Sequence, residues 1–83
     1  LSLYGCKAIS DQALRFISEG MNGLVSIDLS WCNVSDIGLQ FLSSSKSRQT
    51  LASLNLAWCN SVSPLGVLHI IQACPGLLHI NIS

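Results

Sequence analysis

One phrase recurs down this chain at a nearly fixed interval, and it restricts the fold more than any other feature. It reads Leu24-Val-Ser-Ile27-Asp-Leu29-Ser-Trp-Cys32, then Leu51-Ala-Ser-Leu54-Asn-Leu56-Ala-Trp-Cys59. A third copy begins at Leu77-Leu-His-Ile80-Asn-Ile82, and Leu1-Ser-Leu3-Tyr-Gly-Cys6 is the tail of another. Cys6, Cys32 and Cys59 are separated by 26 and 27 residues; Leu3, Leu29, Leu56 and Ile82 by 26, 27 and 26. The template is L-x-x-L-x-L-x-x-C, and its period sets repeats at 1–23 (partial), 24–50, 51–76 and 77–83 (partial).

Each copy divides into two halves of different periodicity. Around Ile27 and Leu29 apolar residues alternate with Ser26, Asp28 and Ser30, as in a half-buried strand. Further on, Leu14 with Ile17, Leu39 with Leu42, and Val67 with Ile70 take helical spacing, and Phe16 and Phe41 are expected to extend that stripe. Ser10, Ser35 and Ser63 stand where N-caps belong. Asp11 and Asp36 follow, where a carboxylate favours the positive end of the helix dipole, and Pro64 takes the slot in the third copy. A strand and a helix per repeat require parallel strands. Because helices are wider than strands, the expected architecture is an α/β horseshoe, with strands on the concave face and helices on the convex face. The polar stretch Ser43–Thr50 reads as a flexible outer loop, with serines beside basic residues as weak phosphorylation candidates.

Composition narrows the function. Apolar residues make up 49% and charged residues only 10%, low against the roughly 25% usual for soluble domains. With apolar strands at both ends and no polar capping repeat, the chain is expected to be part of a longer array. Formal net charge is zero and Lys7, Arg15, Lys46 and Arg48 are scattered, so nucleic-acid binding has no basic footprint. No apolar run reaches the roughly 20 residues of a membrane span. There is no Gly-rich phosphate loop, no carboxylate pair and no nucleophile–base constellation, so catalytic residues, an enzyme activity and a cofactor are not expected. Cys6, Cys32 and Cys59 should stack under successive turns as small buried residues with weak S–H donors. Without a C-x-x-C, and with His69 and His79 out of ligand spacing, no metal site is expected. Cys74, before Pro75-Gly76, should pack below the following strand.

The leucine pattern resembles leucine-rich repeats. The cysteine in the last slot, with Ile9-Ser10-Asp11, Val34-Ser35-Asp36-Ile37-Gly38-Leu39 and Cys74-Pro75-Gly76-Leu77, resembles more narrowly the cysteine-containing subfamily familiar from F-box/leucine-rich-repeat proteins. That resemblance implies a leucine-rich-repeat solenoid and a substrate receptor of an SCF-type ubiquitin ligase, intracellular in the cytoplasm or nucleus. An F-box lying outside these residues would grip the adaptor, the repeats would hold a protein substrate, and partners would transfer ubiquitin. The same subclass also occurs in structural proteins such as ciliary or axonemal scaffolds.

A partner is expected on the strand residues that avoid the core. Ser2, Asp28, Asn55 and Asn81 align in one row, Ser26, Ser53 and His79 in the next, and Tyr4, Ser30, Ala57 and Ser83 in a third. Trp31 and Trp58 align with Gly5 at the strand exits. The expected partner-binding set is Tyr4, Ser26, Asp28, Trp31, Ser53, Asn55, Trp58, His79 and Asn81, with the aromatics as anchors. The competing reading has each tryptophan covering its own loop and stacking on its neighbour, and Asp28, Asn55 and Asn81 bonded to one another on a solvated face.

Overall fold

A computed structural model describes all 83 residues. Three helices alternate with three short strands: α1 (Asp11–Gly20), β1 (Ser26–Asp28), α2 (Asp36–Ser43), β2 (Ser53–Asn55), α3 (Pro64–Ala73) and β3 (His79–Asn81). A four-residue 3-10 turn, Lys46–Gln49, leads from α2 toward β2. The strands form one parallel sheet in the order β1-β2-β3. Its register sets Ser26 beside Ser53 and His79, Ile27 beside Leu54 and Ile80, and Asp28 beside Asn55 and Asn81. The first repeat joins the same ladder, Ser2 bridging to Asp28 and the Leu3 N–H donating to the Asp28 carbonyl at 2.8 Å.

The inward strand residues and the helix stripe close on one another as the periodicities require. Leu24, Ile27, Leu29, Leu51, Leu54 and Leu56 share a cluster with Leu14, Leu39, Leu42 and Ile70. α1 packs against α2, and α2 against α3. Phe16 departs from the expected stripe and is 62% exposed, while Phe41 is half-buried. Each lies two residues beyond a buried leucine, hence about 200° around the helix, on its outer side. Phe41 is instead covered by the Arg15 guanidinium, 5.9 Å from its ring centroid.

The stretch after α2 also corrects the sequence reading. Polarity suggested a flexible loop, but Ser43, Ser45 and Ser47 are buried. The Ser47 hydroxyl accepts from the Leu24 N–H at 3.1 Å and donates to the Met21 carbonyl at 2.9 Å. Thr50 donates to the Leu24 carbonyl at 2.7 Å, and Ser45 to the Leu42 carbonyl at 2.7 Å. Arg48 reaches the Ala73 carbonyl near the end of α3, where a cation suits the helix dipole. The hydroxyls satisfy backbone groups at Met21, Leu24 and Leu42 that the passages into β1 and out of α2 would otherwise leave unpaired. Burial also removes Ser45 and Ser47 from consideration as modification sites.

Candidate functional site

Three devices hold the repeats in position: the first two run from one repeat into the next, and the third closes the exit of each strand. The first is cysteine. The N–H groups of Cys6, Cys32 and Cys59 each close a turn onto Leu3, Leu29 and Leu56, at 3.1 Å in every case. The Cys32 thiol then donates to the Leu3 carbonyl and the Cys59 thiol to the Leu29 carbonyl, both at 3.0 Å. The expected buried ladder is therefore present at Cys32 and Cys59, with thiols bonded backward by one repeat, but Cys6 departs from it. Cys6 is exposed, whereas Cys32, Cys59 and Cys74 are buried and all four are free thiols. Burial pushes the thiol pKa of all three buried cysteines up. Cys74 sits in the shared core, as expected.

The second device was not legible from helix capping alone. Asp11 lies in the first turn of α1, but its carboxylate reaches the start of α2. It accepts from the Ser35 N–H at 2.7 Å, the Ser35 hydroxyl at 2.5 Å and the Gly38 N–H at 3.1 Å. Asp36 repeats the arrangement at the start of α3, accepting from the Ser63 N–H at 2.8 Å and from the Ser63 hydroxyl. Gly38 and Gly66 fit here because a Cβ at either position would run into the incoming carboxylate, 2.5 Å from Asp11 Oδ1 in the case of Gly38. Ser35 and Ser63 also cap their own helices, through Ile37 and Gly66, but the Ser10 side chain makes no capping bond. A sequence signal did exist: Ser-Asp in one repeat, followed by Ser-x-x-Gly at the same place in the next.

The third device shapes the strand exit. Asp28 Oδ1 accepts from the Ser30 N–H at 2.9 Å and from the Ser30 hydroxyl at 2.5 Å. Asn55 Oδ1 accepts from the Ala57 N–H and Asn81 Oδ1 from the Ser83 N–H, both at 3.0 Å. The row residues thus bond forward along their own strand and not to one another. Each makes an Asx-type turn that starts the chain's departure from the sheet. The Asn55 and Asn81 side-chain amides keep their N–H donors free. Ser30 and Ala57, aligned with Tyr4 in the third row, are buried and offer nothing to a partner.

Three residues beyond Ser2, Asp28 and Asn55 the backbone crosses into the left-handed region. Gly5 has φ of 70°, and Trp31 and Trp58 have 63° and 61°. Glycine takes this conformation freely, whereas for another residue it costs about 1–2 kcal/mol. The two indoles stack with centroids 5.0 Å apart and planes 17° from parallel, yet they remain 40% and 56% exposed. Beside them opens a hollow of about 330 Å³, lined by the indoles together with Lys7, Asn33, Asn60 and Ser61. A second hollow of about 380 Å³ lies at the helix side, around Arg15, Glu19 and Phe41. There Arg15 is already engaged, bonded to Glu19 at 3.1 Å and laid over Phe41.

The structure therefore brings Ser26, Ser53 and His79 together in one row, Asp28, Asn55 and Asn81 in the next, and Trp31 with Trp58 at the edge. Tyr4 is exposed one residue before the glycine of the first turn. Lys7, Asn33 and Asn60 each follow a repeat cysteine, so their alignment was there to read, but they and Ser61 lie in connecting loops, where no apolar alternation tells which way a side chain faces.

Leucine-rich repeats are matched at residues 22–43 and 48–70, together more than half of the chain, and the chain belongs to that family. No curated protein and no solved structure matches it. Leucine-rich repeats are in general protein-interaction modules without catalytic activity. No helix of the chain is long and apolar enough to cross a membrane.

Proposed function

We propose that these repeats are the substrate-recognition part of an F-box protein in an SCF-type ubiquitin ligase. The observation that carries the reading is the cysteine slot. In two successive repeats it places a buried thiol against the preceding strand carbonyl, which accounts physically for the sequence signature of the F-box-associated subclass. Continued at the same period, the stacking curves into a horseshoe whose concave wall is the strand side. The protein substrate lies across Ser26, Asp28, Ser53, Asn55, His79 and Asn81, with Tyr4, Trp31 and Trp58 as aromatic anchors. The strained tryptophans support that choice: glycine serves the same turn at lower backbone cost, yet two large exposed rings occupy it. Four unpaired thiols suit a reducing compartment, so the cytoplasm or nucleus is the location.

Co-purification of the full-length protein with the SCF adaptor subunit tests the ligase reading. Stoichiometric retention of the adaptor is the expected result. A full-length protein that holds a stable partner but never the adaptor, and whose depletion leaves the partner's lifetime unchanged, would instead be a structural scaffold.

A further inference from the structure

The hollow beside the tryptophan pair has a chemistry of its own. One wall is two stacked indoles. The rim carries Lys7, Asn33, Asn60 and Ser61, whose side-chain polar groups have no partner within the protein, and no carboxylate lines it. At about 330 Å³ it reaches the lower end of the range for binding pockets. The indole stack is also incomplete on one side. Trp31 is flanked by Trp58 in one direction and by Gly5 in the other, and a Cβ on Gly5 would meet nothing within 4 Å. Space is thus open beside Trp31 at the next rung of the ladder.

We infer that this edge binds an acidic peptide segment bearing an aromatic residue next to a carboxylate. The partner's ring continues the indole stack over Gly5, and the adjoining Asp or Glu meets Lys7 and the free amide and hydroxyl donors of the rim. Charge decides the class. Lys7 is the one charged group lining the hollow, so an arginine or lysine approaching the indoles would meet a like charge, whereas an acidic segment gains an opposite one. The inference rests on the protein-interaction reading above and names the partner's chemistry.

The test is a fluorescence-anisotropy titration of the protein carrying these repeats. Labelled peptides of equal length have Glu-Tyr-Glu, Lys-Tyr-Lys or Glu-Leu-Glu at their centre. The Glu-Tyr-Glu peptide should bind about tenfold tighter than either other peptide, the scale of one aromatic stack or one charge reversal. Trp31→Gly should remove the preference for Tyr over Leu, and Lys7→Glu the preference for Glu over Lys. Glycine is suitable at position 31 because Gly5 shows that the turn accepts it, and an unchanged melting transition verifies the fold. Equal binding of all three peptides, or a preference that survives both substitutions, overturns the inference. Adaptor retention is read on the same preparations. Unselective peptides with adaptor bound overturn this inference alone, and selective peptides without adaptor overturn the ligase reading alone.

Discussion

Within single residues, the cysteines separate most clearly by environment. Cys6 has no repeat in front of it in these residues and is exposed, while Cys32, Cys59 and Cys74 are closed off by neighbouring side chains. A thiol-specific reagent should therefore modify Cys6 rapidly under native conditions and the other three only on unfolding; fast modification of two or more thiols would contradict the ladder. The raised pKa of the three buried thiols carries a pH dependence. Above the pKa of a thiol in the unfolded chain, the unfolded state loses a proton that the folded state still holds, so stability must fall as pH rises. Urea denaturation should show a plateau through pH 6 to 8 and a decline above roughly pH 9. The aspartates show where residue-level reading stops. A carboxylate in a first helical turn suggests its own helix dipole, but only the stacking of repeats reveals that Asp11 and Asp36 serve the helix that follows.

The energetic unit at the level of elements is therefore a junction between successive helices, not a helix. Asp11→Ala leaves the Ser35 N–H, the Ser35 hydroxyl and the Gly38 N–H without their acceptor and should destabilise by about 2–3 kcal/mol. Gly38→Ala alone should destabilise, since its methyl meets the Asp11 carboxylate. Once Asp11 is alanine, the same change should cost less, because only the Leu14 Cδ2 contact at 3.1 Å then remains to oppose the gain in helix propensity. A double-mutant cycle by chemical denaturation checks this, and additive effects would rule the contact out. The junction at Ser47 makes an equivalent prediction. Ser47→Ala strips the buried Leu24 N–H of its partner and should cost about 1–3 kcal/mol by the same measurement, where a flexible loop would register almost nothing. Helices, strands and register were legible because apolar periodicity reports which face is buried. The serine-rich turn was not, because its hydroxyls answer backbone groups at Met21 and Leu24, far back along the chain, which no local pattern records.

Across the whole molecule two sides emerge with different chemistry. The strand side carries rows of polar side chains ending in the indole pair; the helix side carries the salt bridge of Arg15 with Glu19. Trp31→Ala combined with Trp58→Ala should weaken partner binding by more than Arg15→Ala combined with Glu19→Ala, compared by isothermal titration at matched folded fraction. Equal losses would move the interface off the strand side. The strand rows were visible in the sequence from alternation alone, but the hollow beside the indoles was not, since its four polar residues lie in loops of unequal length. The aspartate–glycine junctions have a last consequence, for chain order. Ala13 occupies the position of Gly38 and Gly66, and Pro64 the position of Asp11 and Asp36. Moving the first unit behind one that bears an aspartate would press a methyl group into a carboxylate, and moving the third ahead of one would leave a helix start without its anion. These modules are not interchangeable beads: their sequence of assembly is itself encoded, one neighbour at a time.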